Sequence, residues 1–271
     1  MPIKKRHSVL DYAFSVGKIR ALEKFLIEVE VFEEAIESNL GDALKLFAES
    51  EIYSAEILHV KDSQHLEAIL KNELLNLKKL ISDLLLDKEL LLLLDLDIDN
   101  LSDAYKICRS FGSKFLSDYI MHTIDMHNIK TFFRLYILEE PEENLKVALT
   151  CEGFIKKKDF LELYTQDLTA FLNRLEYIHK DCCTVDYTYY IGEALQRTIR
   201  ENSFVYLEKA INDFLIHILK PAKYIVFGPE PVIAYYFARL NEINLIRMII
   251  LAKLNNVENE PVKERLNAVY A

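Results

Sequence analysis

The chain has 271 residues, 51% of them apolar, a formal charge of −10 and a pI near 5.3, and it holds only six Gly and six Pro. So few turn residues exclude a sheet protein of this size and leave an all-α fold, rich in Leu, Ile, Glu and Lys. An acidic chain without a basic stripe is also a poor grip for nucleic-acid phosphates or anionic lipid.

The N-terminal Lys4-Lys5-Arg6 is followed by a stretch that Asp11 and Lys18 interrupt, so it does not read as a secretory signal. A first long helix is expected from near Ser8 through "YAFSVGKIRALEKFL". A second follows Asp62-Ser63, which read as helix caps, with Leu66, Leu70, Leu74, Leu77, Ile81 and Leu84 on one face. "DLDIDN" at 95–100 has the start of a calcium loop. Asn100 stands where the turn glycine belongs, however, and Lys106 where the bidentate acid belongs, so no metal is expected there.

Another helix is expected over 115–133, "FLSDYIMHTIDMHNIKTFF". Its His122 and His127, five residues apart, point about 140° away from each other and do not make a shared metal site. The run Leu161, Tyr164, Leu168, Phe171, Leu175, Ile178 reads as one helix, and Phe204, Leu207, Ile211, Phe214, Ile218 as another. The cysteines are Cys108, Cys151 and the adjacent Cys182-Cys183. Without a C-x-x-C they read as reduced thiols in a cytoplasmic protein. Nucleotide-binding glycine loops and the common hydrolase and metalloprotease motifs are missing, so no cofactor and no catalytic residue is expected.

The last long helix opens with Gly228-Pro229-Glu230-Pro231. Gly228 permits a sharp entry, both prolines fit a first helical turn, and Glu230 sits at the positive end of the helix dipole. The following "VIAYYFARLNEINLIRMII" is apolar almost all round, so it is expected to be central and buried. Its longest uninterrupted apolar run, Val232 to Ala238, is seven residues, far short of the roughly 20 that span a bilayer. Arg239 lies within reach of Glu242 on one face, and Arg247 needs a carboxylate or carbonyls elsewhere. Two readings stay open for these charges, a structural ion pair and a functional contact.

Segments 115–133 and 232–250 repeat each other at an offset of 117 residues. Tyr119 falls on Tyr236, Asp125 on Glu242, Ile129 on Ile246 and Lys130 on Arg247. A shorter echo places Asp97, Asn100 and Leu101 on Asp125, Asn128 and Ile129. Repeated helical units give such a pattern.

These residues carry a family resemblance. "FGPEPVIAYYFARLNEINLIRMIILAKLNNVENEPVKERL" resembles the C-terminal signature of the C/d subunit of V-type and archaeal-type rotary ATPases. "YAFSVGKIRAL", with Tyr12 and Arg20, resembles its opening helix, and "IDMHNIKTFFR" its repeated Asp-x-x-Asn-[Ile/Leu]-Lys box. The resemblance implies three pseudo-repeated helical units in a funnel-shaped body, here residues 1–101, 102–150 and 151–271. It implies a non-catalytic central-stalk rotor subunit, peripheral on the cytoplasmic face of the membrane. Its partners would be the central shaft subunits and the proteolipid subunits of the membrane rotor ring, without nucleic acid, cofactor or direct membrane insertion.

Carried over, the boxes are Asp97/Asn100/Leu101, Asp125/Asn128/Ile129/Lys130 and Glu242/Ile246/Arg247, beside the Gly228–Pro231 turn. Two departures stand out. The first two boxes lie only 28 residues apart, against 117 for the second pair, so the middle unit is shortened; and Leu245 stands where a box would place Asn. The rival from another class is a free helical-repeat scaffold for protein or peptide partners, which would show a regular period. A helical enzyme would instead need a polar pocket.

Overall fold

The computed structural model describes residues 7–50, 53, 55–149, 151–166, 168–182 and 185–271, without the side chains of 168 and 177–182. The basic Lys4-Lys5-Arg6 start and the thiols of Cys182 and Cys183 lie outside it. All regular structure among the described residues is helical. In chain order the α-helices are α1 Ala13–Leu22, α2 Val29–Glu37, α3 Leu40–Glu49, α4 Ser63–Leu84, α5 Leu101–Phe111, α6 Lys114–Ile137 and α7 Glu142–Ala148. They continue with α8 Lys157–Tyr164, α9 Leu168–Cys182, α10 Tyr187–Glu201, α11 Val205–Leu219, α12 Glu230–Leu254 and α13 Asn259–Lys263.

The helix starts are set by short polar side chains. The Ser8 hydroxyl accepts from the Leu10 amide and the Asp11 carboxylate from the Ser8 amide, opening a short 3-10 turn that runs on into α1. Asp62 caps α4, Ser113 caps α6 and Asp186 caps α10, each accepting from an amide of the first turn. Gly112, at φ 85°, lets the chain end α5 in the left-handed conformation and start α6 two residues later. The apolar run over 161–178 is two helices, not one. The Gln166 amide turns back to the Leu163 carbonyl, ending α8 before α9 begins. Thr165 and Gln166 add nothing apolar to a helical face there, so periodicity ran across a real break.

The chain forms two compact units, residues 1–94 with 219–271, and residues 95–218. In the first, α12 is the central helix, packed along α4 and against α1, α2 and α3. Val232, Ile233, Ala234 and Tyr235 are all buried, and four consecutive residues at about 100° steps face all round its axis. In the second, α6 is central, packed on α5, α7 and α8. Phe132 stacks on Phe171 with ring centres 4.7 Å apart, and Phe133 meets Phe171 edge-on at 4.9 Å. Each such aromatic or aliphatic side chain contributes roughly 1.5–3 kcal/mol by leaving water, which is why these two helices need no amphipathic stripe. No described helix is long and apolar enough to cross a membrane.

Candidate functional site

In the second unit, Asp125 is fully buried on α6. Its carboxyl accepts from the amides of Phe154 at 2.9 Å and Ile155 at 3.1 Å, and from the Tyr187 hydroxyl at 2.8 Å. The loop carrying those amides presses so close that a Cβ on Gly153 would sit 2.3 Å from Asp125 Oδ1 and 2.6 Å from the Met121 carbonyl oxygen. Only glycine fits that approach. Burial pushes the Asp125 carboxyl up to about 7, with Tyr187 and the two amides pulling it back down. One helical turn earlier, His122 Nδ1 lies 2.7 Å from the Tyr187 oxygen. With the hydroxyl proton directed at Asp125, the neutral ring there is the Nδ1–H tautomer. Burial lowers this imidazole to about 4. Asn128 holds the same loop from a third point, its amide donating to the Cys151 carbonyl at 3.0 Å.

In the first unit, Glu242 is buried on α12. It accepts from the Ile27 amide at 2.7 Å, from Arg239 at 2.5 Å and, at a long 3.5 Å, from the Tyr53 hydroxyl. The Arg239 guanidinium lies over the Tyr53 ring, 4.2 Å from its centre. Burial pushes the Glu242 carboxyl up while the Arg239 charge and the Ile27 amide pull it down. The ion pair at 239/242 lies within α12, and through the Ile27 amide its carboxylate ties the central helix to the loop that leads into α2. At the 117-residue offset, Arg239 falls on His122 and Glu242 on Asp125. Each central helix thus carries a nitrogen base and, three residues on, an acid. Each acid takes a backbone N–H from a loop entering a helix, and each base meets a tyrosine.

The lysine and arginine of the boxes match as well. Lys130 reaches Glu208 on α11 at 3.2 Å, and Arg247 reaches Glu67 on α4 at 2.9 Å. Both pairs are partly exposed. Leu245, where Asn128 has its counterpart, is buried without a polar group to offer. The third echo behaves differently: Asp97 and Asn100 exchange hydrogen bonds with each other's amides at 3.1 Å in an exposed turn before α5, and only Leu101 is buried. That turn also accounts for the calcium-loop likeness of "DLDIDN".

At the chain's opening helix, Tyr12 is buried, its hydroxyl donating to the Asp87 carboxylate at 3.0 Å and accepting from the Asp87 amide at 3.0 Å. Arg20 pairs with Glu23 and donates to the carbonyls of Ala222 at 2.7 Å and Ile225 at 2.8 Å. It thereby clamps the segment just before Gly228. Gly228 has φ 109°, Pro229 stands at the position just before α12 without a side-chain cap bond, and Glu230 and Pro231 begin its first turn. His127 faces Thr131 and shares nothing with His122. No group of acids, histidines and cysteines among the described residues could hold a metal ion.

The partners Tyr53, Tyr187 and Gly153 had no signal in the sequence, because they come from loops of no fixed spacing. His122 did have one, since the repeat itself sets it opposite Arg239.

The family described as "ATP synthase (C/AC39) subunit" matches residues 77–265. The chain is also similar to the C subunit of the V-type sodium ATPase of Enterococcus hirae, at 26% identity over 231 residues. That alignment covers 83% of this chain and 66% of the relative, just under two thirds of its length.

Proposed function

The chain belongs to the ATP synthase (C/AC39) subunit family, and from that premise we propose that it is the non-catalytic rotor subunit of a V-type rotary ATPase. In this reading it couples the rotating central shaft to the membrane ring of proteolipid subunits. It passes torque between ATP turnover and the movement of H⁺ or Na⁺. It works as a peripheral protein on the cytoplasmic face, without a cofactor of its own.

The observation that carries the reading is the family match across residues 77–265, which contains the three boxes and the Gly228–Pro231 turn. Three pseudo-repeated units forming a funnel, with the middle unit over 102–150 shortened, remain part of this proposal. Two central helices with the same base–acid latch support a repeated construction. A torque-bearing body also needs stiffness, and buried polar ties between central helices and loops supply it. The box acids and bases accordingly brace helices within the fold.

The test is a pull-down from detergent-solubilised native membranes with the tagged full chain as bait. Co-recovery of the shaft subunits and the small ring proteolipid is the expected outcome. Recovery of neither, from membranes shown to contain the ATPase, would overturn the coupling role and favour a free helical scaffold.

A further inference from the structure

The segment Lys220–Phe227 projects apolar side chains into water while its backbone is held from two sides. Tyr224 is 86% exposed, Val226 66% and Phe227 41%. Such side chains in a loose loop would fold back onto the nearest apolar surface. Here they cannot, because Arg20 grips the carbonyls of Ala222 and Ile225 and Gly228–Pro229 fixes the exit into α12. The arrangement is preorganised, so little conformational entropy remains to be lost when it is covered.

Charge adds a second, independent observation. In a chain of net charge −10 this segment is basic. Lys220 and Arg20 both lie close enough to act on Lys223, with Glu23, paired to Arg20, as the acid among them. Burial first, then the Lys220 charge, lower the Lys223 ammonium from its ordinary value, Glu23 raises it, and Arg20 lowers it by less. Its Nζ stands 4.9 Å from the centre of the Tyr270 ring. Glu23 offsets Arg20 at this position, which leaves the Lys220–Lys223 repulsion as the one that a carboxylate-bearing surface would relieve.

We infer that Lys220–Phe227 is a docking segment for another subunit of the rotary complex. That surface would present an apolar recess for Tyr224, Val226 and Phe227, edged by carboxylates that meet Lys220 and Lys223. This rests on the coupling role proposed for the chain, and it names a contact point for it. Exposed basic edges mainly raise the rate of association, and the apolar tips supply its lifetime.

Two variants of the full chain test it: Tyr224→Ser with Phe227→Ser, and Lys220→Glu with Lys223→Glu. Both change exposed or rim positions, and thermal melting checks that each still folds. Val147→Ser, an 87% exposed apolar residue of the other unit, is the control. Each variant is carried through the native-membrane pull-down and through flotation with phosphatidylcholine vesicles containing phosphatidylglycerol. The expected result is at least a tenfold loss of identified ATPase subunits with either double variant, unchanged melting, and no loss with Val147→Ser.

Wild-type recovery of those subunits by both double variants would overturn the inference and leave the coupling role standing. Intact recovery together with lost vesicle binding would overturn it in favour of a lipid contact. Failure of the wild-type chain itself to recover any of them would overturn the coupling role, and this inference with it.

Discussion

The two central helices solve one problem in two ways. Each drives an acid into an apolar core to tie down a loop, and a buried carboxylate is stable only if its charge is answered. On α6 the loop itself answers: Gly153 lets two successive amides reach Asp125, and Tyr187 adds a hydroxyl. On α12 the loop offers Glu242 the Ile27 amide, the tyrosine stands farther off, and a permanent cation, Arg239, makes up the difference. Backbone dipoles and a guanidinium are thus interchangeable at this point of the repeat. What differs is how many amides the loop presents, two successive ones at Asp125 and one at Glu242.

The largest effect should come from taking away one half of the charged version. Glu242→Leu leaves Arg239 buried without its carboxylate, and we expect a loss of about 3–5 kcal/mol. Adding Arg239→Leu should restore the part due to the lone charge, since two apolar side chains are tolerated where one buried charge is not. It leaves a single amide, that of Ile27, unanswered. On α6 the outcome should differ: Asp125→Leu strands the Phe154 and Ile155 amides, which no second substitution of His122 can satisfy. Thermal unfolding of the four variants decides it. Rescue of Asp125→Leu by His122→Leu, or no rescue of Glu242→Leu, would break the comparison.

A second separation lies in pH. The Asp125 carboxyl is raised from its ordinary 3.8 to about 7, so its contribution is fully present below pH 4 and lost as pH rises toward 7. The His122 imidazole is lowered from its ordinary 6.5 to about 4, so its contribution is present above pH 6.5 and lost as pH falls toward 4. The two run in opposite directions over almost the same window, each by on the order of 3–4 kcal/mol. Wild-type stability should therefore be flatter between pH 4 and 7 than that of either variant. Asp125→Asn should gain stability as pH rises through the window, and His122→Gln should lose it. Matching pH profiles for wild type and Asp125→Asn would show that the buried pair does not titrate as described. The α12 version lacks this compensation, since Arg239 keeps its charge throughout.

The loop approach can be altered directly. Gly153→Ala puts a methyl group against Asp125 and the backbone of α6, and overpacking of this kind costs about 1–3 kcal/mol. Hydrogen exchange at the Phe154 and Ile155 amides should accelerate, while the Ile27 amide of the other unit stays protected. That position also marks the limit of what could be read from the sequence. The all-helical class, the helix near Ser8, the capped α4 and the buried α12 behind Gly228–Pro231 follow from composition, spacing and two prolines. So does the Arg239–Glu242 pair, because three residues on a helix is a fixed geometry. Gly153, Tyr53 and Tyr187 follow from nothing local, since they meet the acids through the path of loops. The same limit let one periodic run over 161–178 stand for two helices, and hid that Asp97 and Asn100 bond each other in an exposed turn instead of holding a loop.

The smallest expected effect separates bracing from contact. Arg247 and Lys130 end the two boxes on partly exposed carboxylates, Glu67 and Glu208, where water screens the pair. Alanine at either should cost less than about 1 kcal/mol. Lys130→Ala should cost the less of the two, because Arg134 also holds Glu208, at 3.0 Å, and keeps it engaged. Arg247 has a second tie to Asn244 at 2.7 Å, but that bond lies within its own helix and joins α12 to nothing. Its loss therefore falls wholly on the link to α4. If Arg247→Ala melts as wild type yet no longer recovers the ATPase subunits, its charge serves a partner. A small drop in melting temperature with full recovery is the result that makes it a brace.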